Sequence, residues 1–216
     1  MTAKSQATKI KLISSASTLF QQKGFLRTTI REIADAAGTN LAAINYHFGD
    51  KNSLFRAMLF GIAERLAFLH GPMPKHDPNG PPARDQFKAF VRWFIALGVR
   101  TGEVRRMGLE MGQGFGPGED GPMTKEILDR FVKPAQACLH EHLDAIAGAP
   151  LPDEIKRRIA LSVIGQVSIY GLMQPAIKEL YDLEGLPDPE CDALVEQITI
   201  GVVAGIDELR QSGAIG

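Results

Sequence analysis

Apolar side chains recur every three or four positions through most of this chain, which is the spacing of one face of an α-helix. The pattern predicts helices over residues 9–23, 30–37, 41–47, 51–70, 83–101, 103–111 and 123–147. Further helices begin near 153 and 188, and a short piece ends at 181. No segment is convincing as a β-strand, so we expect an all-α fold with about nine helices.

Each long helix has a predicted inner stripe. The first helix contributes Ile10, Ile13, Ala16, Leu19 and Phe20, and the fourth contributes Leu54, Met58, Ile62, Leu66 and Leu69. The helix from residue 153 contributes Ile155, Ile159, Ser162, Val163, Gln166, Ile169 and Tyr170. The last helix contributes Leu194, Ile198, Gly201, Val202, Gly205 and Leu209.

Glycine and proline mark the breaks between these helices. Residues 1–8 are predicted to be a polar arm, and two segments dense in Gly and Pro, 71–82 and 112–122, are predicted to be loops. Pro134 is expected to kink or restart the helix over 123–147, and Pro175 to interrupt the helix from 153. An N-cap at residue 188 followed by proline opens the last helix.

Residues 28–55 have the pattern of a helix, a tight turn and a second helix. Thr29 and Glu32 form a capping box, which predicts a helix start at Ile30. Gly38 can adopt the left-handed conformation that stops this helix, and Thr39 or Asn40 can cap the next one. Two short helices joined by a turn with glycine are typical of a helix-turn-helix, whose second helix enters the DNA major groove.

The same stretch resembles the DNA-binding domain of TetR-type repressors. The matching residues are Thr28-Thr29, Ile33-Ala34, Ala37-Gly38, Tyr46-His47-Phe48, Lys51 and Leu54-Phe55. The resemblance covers roughly residues 9–59, and the run AAINYHFGDKNSLF is similar to the subgroup with a CecR-like C-terminal domain. Thr39-Asn40 and Ala42 depart from the common Val-Ser and Gly, so the operator sequence does not carry over from the family.

Charge is unevenly distributed along the chain. The net charge of −1 by itself argues against nucleic-acid binding. Residues 1–56, however, contain eight Lys or Arg and three Asp or Glu, a net charge of +5, which leaves −6 for the remainder. A basic N-terminal part joined to an acidic remainder is what we expect of a DNA-binding regulator. The alternative is that this asymmetry of charge arose by chance.

Composition limits the class of protein further. The chain has no apolar run near the ~20 residues of a membrane span and no apolar leader segment, so we expect a cytoplasmic protein without a membrane partner. Cys138 and Cys191 lie too far apart in sequence to indicate a disulfide framework.

The N-terminal domain contains two kinds of candidate DNA contact. Phosphate contacts are assigned to Thr28, Thr29, Tyr46, His47 and Lys51. Base-edge contacts are assigned to Thr39, Asn40, Ala43 and Asn45, because asparagine can bind adenine through two hydrogen bonds and alanine can touch a thymine methyl. The alternative for Tyr46 is core packing with its hydroxyl at the rim, and Phe48 is expected in the core.

A helix-turn-helix protein of this kind needs a dimer surface, because the two recognition helices bind near-palindromic DNA roughly one turn, ~35 Å, apart. We expect a homodimer through the last two long helices, as the family resemblance also implies. Gly201 and Gly205 allow close approach of a partner helix. The alternative is that these glycines pack within one subunit.

The larger C-terminal part of the chain is expected to hold a small-molecule effector in a mostly apolar pocket. Apolar candidates for its lining are Trp93, Phe94, Met107, Met111, Phe115, Phe131, Tyr170 and Met173. Polar candidates to orient the ligand are Gln136, His140, Gln166 and Gln174. Each aromatic side chain has plain core packing as its alternative.

Enzymatic and metal chemistry are not indicated. His140 and His142 are two positions apart, which on a helix points their rings away from each other, so one ion cannot bind both. No nucleophile–histidine set or paired carboxylates are visible, and we expect neither a resident metal nor a cofactor.

Taken together, the sequence predicts a DNA-binding domain over residues 1–55 and a ligand-binding and dimerisation domain over 56–216. The predicted function is a ligand-responsive transcriptional regulator, a repressor released from its operator by a small molecule. Two alternatives remain: an all-α enzyme or carrier that borrows the head, and an architectural DNA-binding protein without an inducer.

Overall fold

The computed structural model describes residues 3–98 and 128–215, and within these ranges the chain is all-α, as predicted. Its helices are α1 (Ala3–Lys23), α2 (Ile30–Ala36), α3 (Leu41–Phe48), α4 (Lys51–His70), α5 (Ala83–Gly98), α6 (Lys133–Ala147), α7 (Asp153–Leu172), α8 (Gln174–Tyr181) and α9 (Asp188–Gln211). A π-helical turn, Leu128–Val132, precedes α6. The predicted helix over 103–111, the loop over 112–122, and Met107, Met111 and Phe115 lie outside the described residues.

The described residues divide into two compact units. The first, called the head below, holds residues 3–69 together with 128 and 129, and the second, called the body, holds residues 70–98 and 130–215. The predicted domain boundary at 55/56 lies inside α4. No single described helix is long and apolar enough to cross a membrane; the bent pair Asp153–Leu172 and Pro175–Tyr181 meets the length and composition criteria only when its members, at 81°, are taken together.

Three aromatic rings form the centre of the head. Phe25 lies 5.3 Å from Phe20 and 4.8 Å from Phe55 between ring centroids, and Phe20 and Phe55 are 5.5 Å apart. Gly24, at φ +87°, ends α1 and turns the chain so that Phe25 packs back on this core. Contacts at these distances contribute roughly 0.5–1.5 kcal/mol per pair beyond simple burial.

Two predictions about α1 were wrong. Residues 3–8 belong to α1 rather than to a separate polar arm before it, and Ile10 is exposed. The buried stripe is Leu12, Ala16 and Phe20, which are spaced by four and therefore align on one face. Ile10, two positions before Leu12, lies on a different face of the helix.

The inner stripe of α4 was correct in its first three members and wrong at its end. Leu54, Met58 and Ile62 are buried, whereas Leu69 is exposed together with Phe68. The side chain of Leu66 is outside the described set. The apolar pattern of α4 therefore extends beyond the part of the helix that the head core covers.

α5 lies at the centre of the body. It packs against α9, α6 and α7, and its buried side chains Phe87, Phe90, Val91 and Ile95 join one cluster with those of the other helices. Arg84 also reaches Glu196 on α9 at 2.6 Å. Both members of this ion pair are nearly half exposed. The pair therefore contributes much less to the stability of the body than the buried cluster does.

The stripes of α7 and α9 differ in part from the predicted ones. On α7 the buried residues are Ala160, Val163, Val167 and Gly171, while the predicted Ser162 and Ile169 are exposed. On α9 the predicted Leu194, Ile198 and Val202 are buried, but Gly201 and Gly205 are exposed. The predicted and the buried stripes of α7 share Val163 but lie on neighbouring faces of the helix.

The predicted helix breaks are confirmed. The π-helical turn ends immediately before α6, whose first turn contains Pro134. α7 stops at Leu172, and Pro175 lies in the first turn of α8. α9 begins at Asp188 with proline in its first turn, one residue from the predicted start.

Residues 71–82, which we call the connector, are a loop as predicted, and this loop of the body is bonded to the helices of the body. Trp93 Nε1 donates to the Gly71 carbonyl at 3.3 Å, and Cys138 Sγ donates to the Pro74 carbonyl at 3.2 Å. His142 Nε2 lies 2.9 Å from the same Pro74 oxygen.

The second half of the connector is held by one buried amide. Gln86 accepts from the Asp77 N–H at 2.7 Å and donates to the carbonyls of Asp77 at 2.8 Å and Pro81 at 2.6 Å. A side chain that satisfies three backbone groups fixes the path of the loop as a short strand pairing would.

Candidate nucleic-acid interface

The start of α2 is fixed by the predicted capping box. Thr29 Oγ1 accepts from the Glu32 N–H at 3.3 Å, and Glu32 Oε2 accepts from the Thr29 N–H and hydroxyl at 2.8 Å each. Glu32 also pairs with Lys23. The hydrogen bond from Lys23, followed by those from Thr29, lowers the pKa of Glu32 to about 2. Thr29 is exposed, but its two donors are occupied by Glu32 in the free protein.

Thr28 faces the interior of the head. It is 1% exposed, its hydroxyl donates to the Gly24 carbonyl at 2.7 Å, and its N–H donates to the Phe25 carbonyl at 3.2 Å. Both groups that were expected to meet phosphate therefore hold the turn between α1 and α2. The structure places this predicted contact residue away from the surface.

The turn between α2 and α3 has the predicted geometry. Gly38, at φ +63°, ends α2, and the Thr39 N–H returns to the Ala34 carbonyl at 2.9 Å. Asn40 is the N-cap of α3, and its Oδ1 accepts from the Ala43 N–H at 3.0 Å. Of the two predicted caps, Asn40 is the one used, and Thr39 is half-buried beside it.

The outer face of α3 contains most of the remaining candidates. Tyr46 is 80% exposed, Asn45 is exposed, and Ala43 and His47 are half-buried. Ile44 points the other way and is fully buried in the head. The exposure of Tyr46 excludes the core-packing alternative for this ring.

Two rings at the end of α3 lie against each other. The rings of Tyr46 and His47 meet edge to face with centroids 5.1 Å apart, and His47 is 6.1 Å from Phe48. Phe48 was expected in the core but is half-buried, with Lys9 Nζ 6.0 Å from its ring centroid. The contact between the two rings limits the orientations that the phenol and imidazole groups can adopt.

Lys51 has a different position from the one its sequence context suggested. Its Nζ donates to the carbonyls of Phe25 and Thr28, at 3.0 Å each, and lies 4.2 Å from the centroid of the Phe25 ring. The ammonium group thus joins the α1–α2 turn to the start of α4. Asp50 caps α4 by accepting from the Ser53 N–H at 2.6 Å, the main cause of the lowered pKa of Asp50.

The candidate ligand-binding residues differ in their exposure in the described structure. Trp93, Phe94, Tyr170, Gln166 and His140 are half-buried, whereas Gln136 and Met173 are exposed. The side chains of Phe131 and Gln174 are outside the described set. Phe94 stacks on Phe90 at 6.3 Å, and the indole N–H of Trp93 is bound to the connector. That these residues surround one ligand remains a prediction.

The sequence assigned His140 to the ligand and gave His142 no role. His140 Nε2 is buried without a hydrogen-bond partner in the part of the chain that the structure describes, and so is Nδ1 of His142. His142 is 0% exposed, and this burial lowers its pKa. Its role in holding the connector was missed; the only available signal was a histidine one helical turn after Cys138. Over the described ranges, no three metal-ligating side chains come together.

The candidate dimer surface is open. A Cβ built on Gly201 or Gly205 meets no atom within 4 Å, so neither glycine packs against another described element of its own chain. Ile200 beside them is 52% exposed. On α7, which packs against α9, Leu161 is 63% exposed and Gly165 is equally open.

Comparison with known families matches the two parts of the chain separately. Residues 12–58 match the family model of bacterial regulatory proteins of the tetR family. Residues 83–206, more than half of the chain, match the model of the C-terminal domain of the HTH-type transcriptional dual regulator CecR. Both resemblances expected from the sequence are thereby confirmed.

Curated relatives match over shorter stretches. The HTH-type transcriptional regulator TtgR of Pseudomonas putida is 36% identical over 105 residues, 47% of this chain and 49% of the relative. The dual regulator CecR of Shigella flexneri is 45% identical over 64 residues, 30% of this chain and 28% of the relative. The chain therefore aligns with half or less of the length of these relatives.

Solved structures match over nearly the whole chain. A TetR-like transcriptional regulator from Rhodococcus sp. RHA1 has a TM-score of 0.61 at 18% identity and covers 92% of this chain and 96% of its own. The regulator FadR from Bacillus subtilis, in complex with stearoyl-CoA, has a TM-score of 0.60 at 13% identity and covers 91% and 98%. At these identities the likeness shows the fold. The two family models establish that this chain belongs to the TetR family of bacterial regulatory proteins and has a C-terminal domain of the CecR type.

Proposed function

We propose that this chain is a ligand-responsive, DNA-binding transcriptional regulator that represses its target until a small molecule releases it from its operator. The observation that supports this most directly is the outer face of α3. That face exposes Asn45 and Tyr46 on a short helix whose start is fixed by Asn40 and whose inner side is anchored by Ile44. A rigid helix with an exposed polar face, in a basic head, is suited to the major groove.

The proposed DNA contacts fall into two groups. Tyr46 and His47 contact phosphates. The dipole of α4 also favours an anion at its first turn, but Asp50 already accepts from the Ser53 N–H, so this N–H contributes only if phosphate replaces Asp50. Thr29 contributes there only if phosphate replaces Glu32 as the partner of its donors. The base edges are contacted by Thr39, Asn40, Ala43 and Asn45.

We propose that the functional unit is a homodimer formed through α7 and α9, the last two long helices. The support is the open surface at Gly201 and Gly205 with exposed apolar neighbours on both helices. Two helices from each subunit then form a four-helix bundle in which the absence of side chains at the glycines allows close helix approach. Such a dimer presents two heads to the two halves of a near-palindromic operator.

The response to ligand follows from a difference in affinity. An effector bound in the body shifts the protein between a DNA-binding and a released state only as far as it binds one state more tightly. The candidate lining is Trp93, Phe94, Met107, Met111, Phe131 and Tyr170, with Gln136, His140, Gln166 and Gln174 as polar partners. The structure with stearoyl-CoA illustrates one ligand of one relative of this fold, and the effector of this chain is left open.

The test begins with the duplex DNA that lies upstream of the protein's own gene. The purified protein should protect a near-palindromic segment of that DNA from nuclease, and a screen of compounds should find one that abolishes the protection. Protection that no compound relieves favours the architectural alternative. Absence of any sequence-preferring protection, on this DNA or on a genomic library, overturns the proposal.

A further inference from the structure

α3 lacks the arginine and lysine side chains that most often bind guanine. The guanine edge in the major groove presents two acceptors, and the commonest specific contact to it is a bidentate Arg or Lys. Residues 32–50, which include all of α3, contain neither. The ring of His47, half-buried against its neighbours, lacks the paired N–H groups with which arginine meets both guanine acceptors.

One of the two asparagines on this surface is committed to the fold. The side-chain oxygen of Asn40 accepts the Ala43 N–H at 3.0 Å, which fixes the start of α3. A bidentate contact to adenine needs the amide oxygen as acceptor and the amide nitrogen as donor together. Asn40 can therefore give a base edge only its amide NH2 donor and not a bidentate contact, whereas Asn45, further along the helix and exposed, is not the cap.

The first turns of α3 present methyl groups. Ala42 is exposed on the outer side of the helix, opposite the buried Ile44, and Ala43 is half-buried at the flank of that side. In recognition helices the N-terminal residues meet the base edges. A methyl-rich surface there matches the C5-methyl group of thymine, which cytosine lacks.

We propose that α3 recognises A·T base pairs: Asn45 binds one adenine through its N6 and N7 atoms, and the methyl groups of Ala42 and Ala43 contact thymine methyl groups. The inference rests on the proposed DNA-binding function and specifies which bases that function selects.

The first experiment selects binding sites for the full-length protein from a pool of random duplexes. The expected half-site contains adenine and thymine at the positions central to α3. A selected half-site with G·C pairs at those positions overturns the inference and leaves the proposed function intact. Failure to select any sequence refutes the proposed function instead, so the two failures are distinguishable.

The second experiment changes single atoms of the selected DNA. Replacing the contacted adenine by 7-deazaadenine removes the N7 acceptor, and replacing thymine by deoxyuridine removes only the methyl group. The first change removes one of the two hydrogen bonds to adenine, so we expect it to weaken binding at the low end of the roughly 5- to 150-fold range of a whole bidentate contact, and the second to weaken it by less. Unchanged affinity for both duplexes contradicts the inference.

The third experiment links the base to the residue. Asn45→Ala should lose the discrimination between adenine and 7-deazaadenine while binding both duplexes weakly. Gln22→Ala, which removes an exposed amide from α1, should retain that discrimination. Because Asn45 is exposed and alanine favours helix, the variant should fold, as a circular dichroism melt can check. Full discrimination in Asn45→Ala assigns the adenine contact elsewhere and refutes the role given to this residue.

Discussion

The position of Lys51 leads to a prediction that separates two roles for one side chain. In Lys51→Ala, two hydrogen bonds from the ammonium group to the carbonyls of Phe25 and Thr28 are lost, and so is the contact with the Phe25 ring. A bond to a charged group contributes about 1.5–3 kcal/mol, and the carbonyls regain part of this from water because the site is only half-buried. We therefore expect the head to lose about 2–4 kcal/mol of stability.

Amide hydrogen exchange measures this loss where it occurs. Peptides covering α1 to α4 should lose protection by roughly 30- to 800-fold in Lys51→Ala, while peptides from α5 and α9 should change little. Lys11→Ala, which removes an exposed lysine from α1, is the matched control and should leave protection unchanged.

DNA binding provides the complementary measurement. When a lysine that neutralises a phosphate is removed, the salt dependence of DNA binding decreases by about one ion. At a temperature where the variant head stays folded, we expect the salt slope of Lys51→Ala to equal that of the wild type. Unchanged protection combined with a reduced slope would show that Lys51 serves the phosphate and that the structural role is wrong.

Three further changes test other parts of the molecule. The folded pKa of Glu32 is about 2, below its ordinary value of 4.5, so its contribution is present above pH 4.5 and lost as the pH falls towards 2; Glu32→Gln should flatten acid unfolding in that window. The pKa of His142 is also lowered, so the unfolded chain takes up a proton below about pH 6.5 that the folded chain resists, and stability should fall with acidification. His142→Gln, which retains a donor for the Pro74 carbonyl, should remove this slope in urea titrations. Gly201→Asp should dissociate the proposed dimer in sedimentation, whereas Gly61→Asp, at an equally open helical glycine in the head, should not; a dimeric Gly201→Asp variant would refute the chosen surface.

Local chemistry was predicted well from the sequence because its determinants lie within a few residues. The capping box at Thr29, the stop at Gly38 and the restart near Pro134 each depend on backbone groups next to the residue concerned. The same holds for Asn40, although only the structure distinguished it from Thr39 as the cap.

The direction in which side chains point within the folded chain was predicted less well. Lys51 lies next to an exposed helix start, yet its side chain crosses to carbonyls that are 23 and 26 residues away. Ile10 and Leu12 are both apolar, and only packing against the other helices of the head decides which is buried. Helical periodicity specifies that a face is buried but does not distinguish between two adjacent apolar faces.

The connector shows that composition alone misjudges how separable two parts of a chain are. Segments rich in glycine and proline are the usual places to cut a protein or to insert a tag, because their backbone is normally hydrated. In the connector, backbone groups of Gly71, Pro74, Asp77 and Pro81 are already bonded to side chains of the body. A protease must first open those bonds, and a body expressed from residue 83 onwards would retain Gln86, Cys138 and His142 with their partners removed. A stable fragment should therefore begin no later than residue 71, so that the loop stays with the helices that hold it.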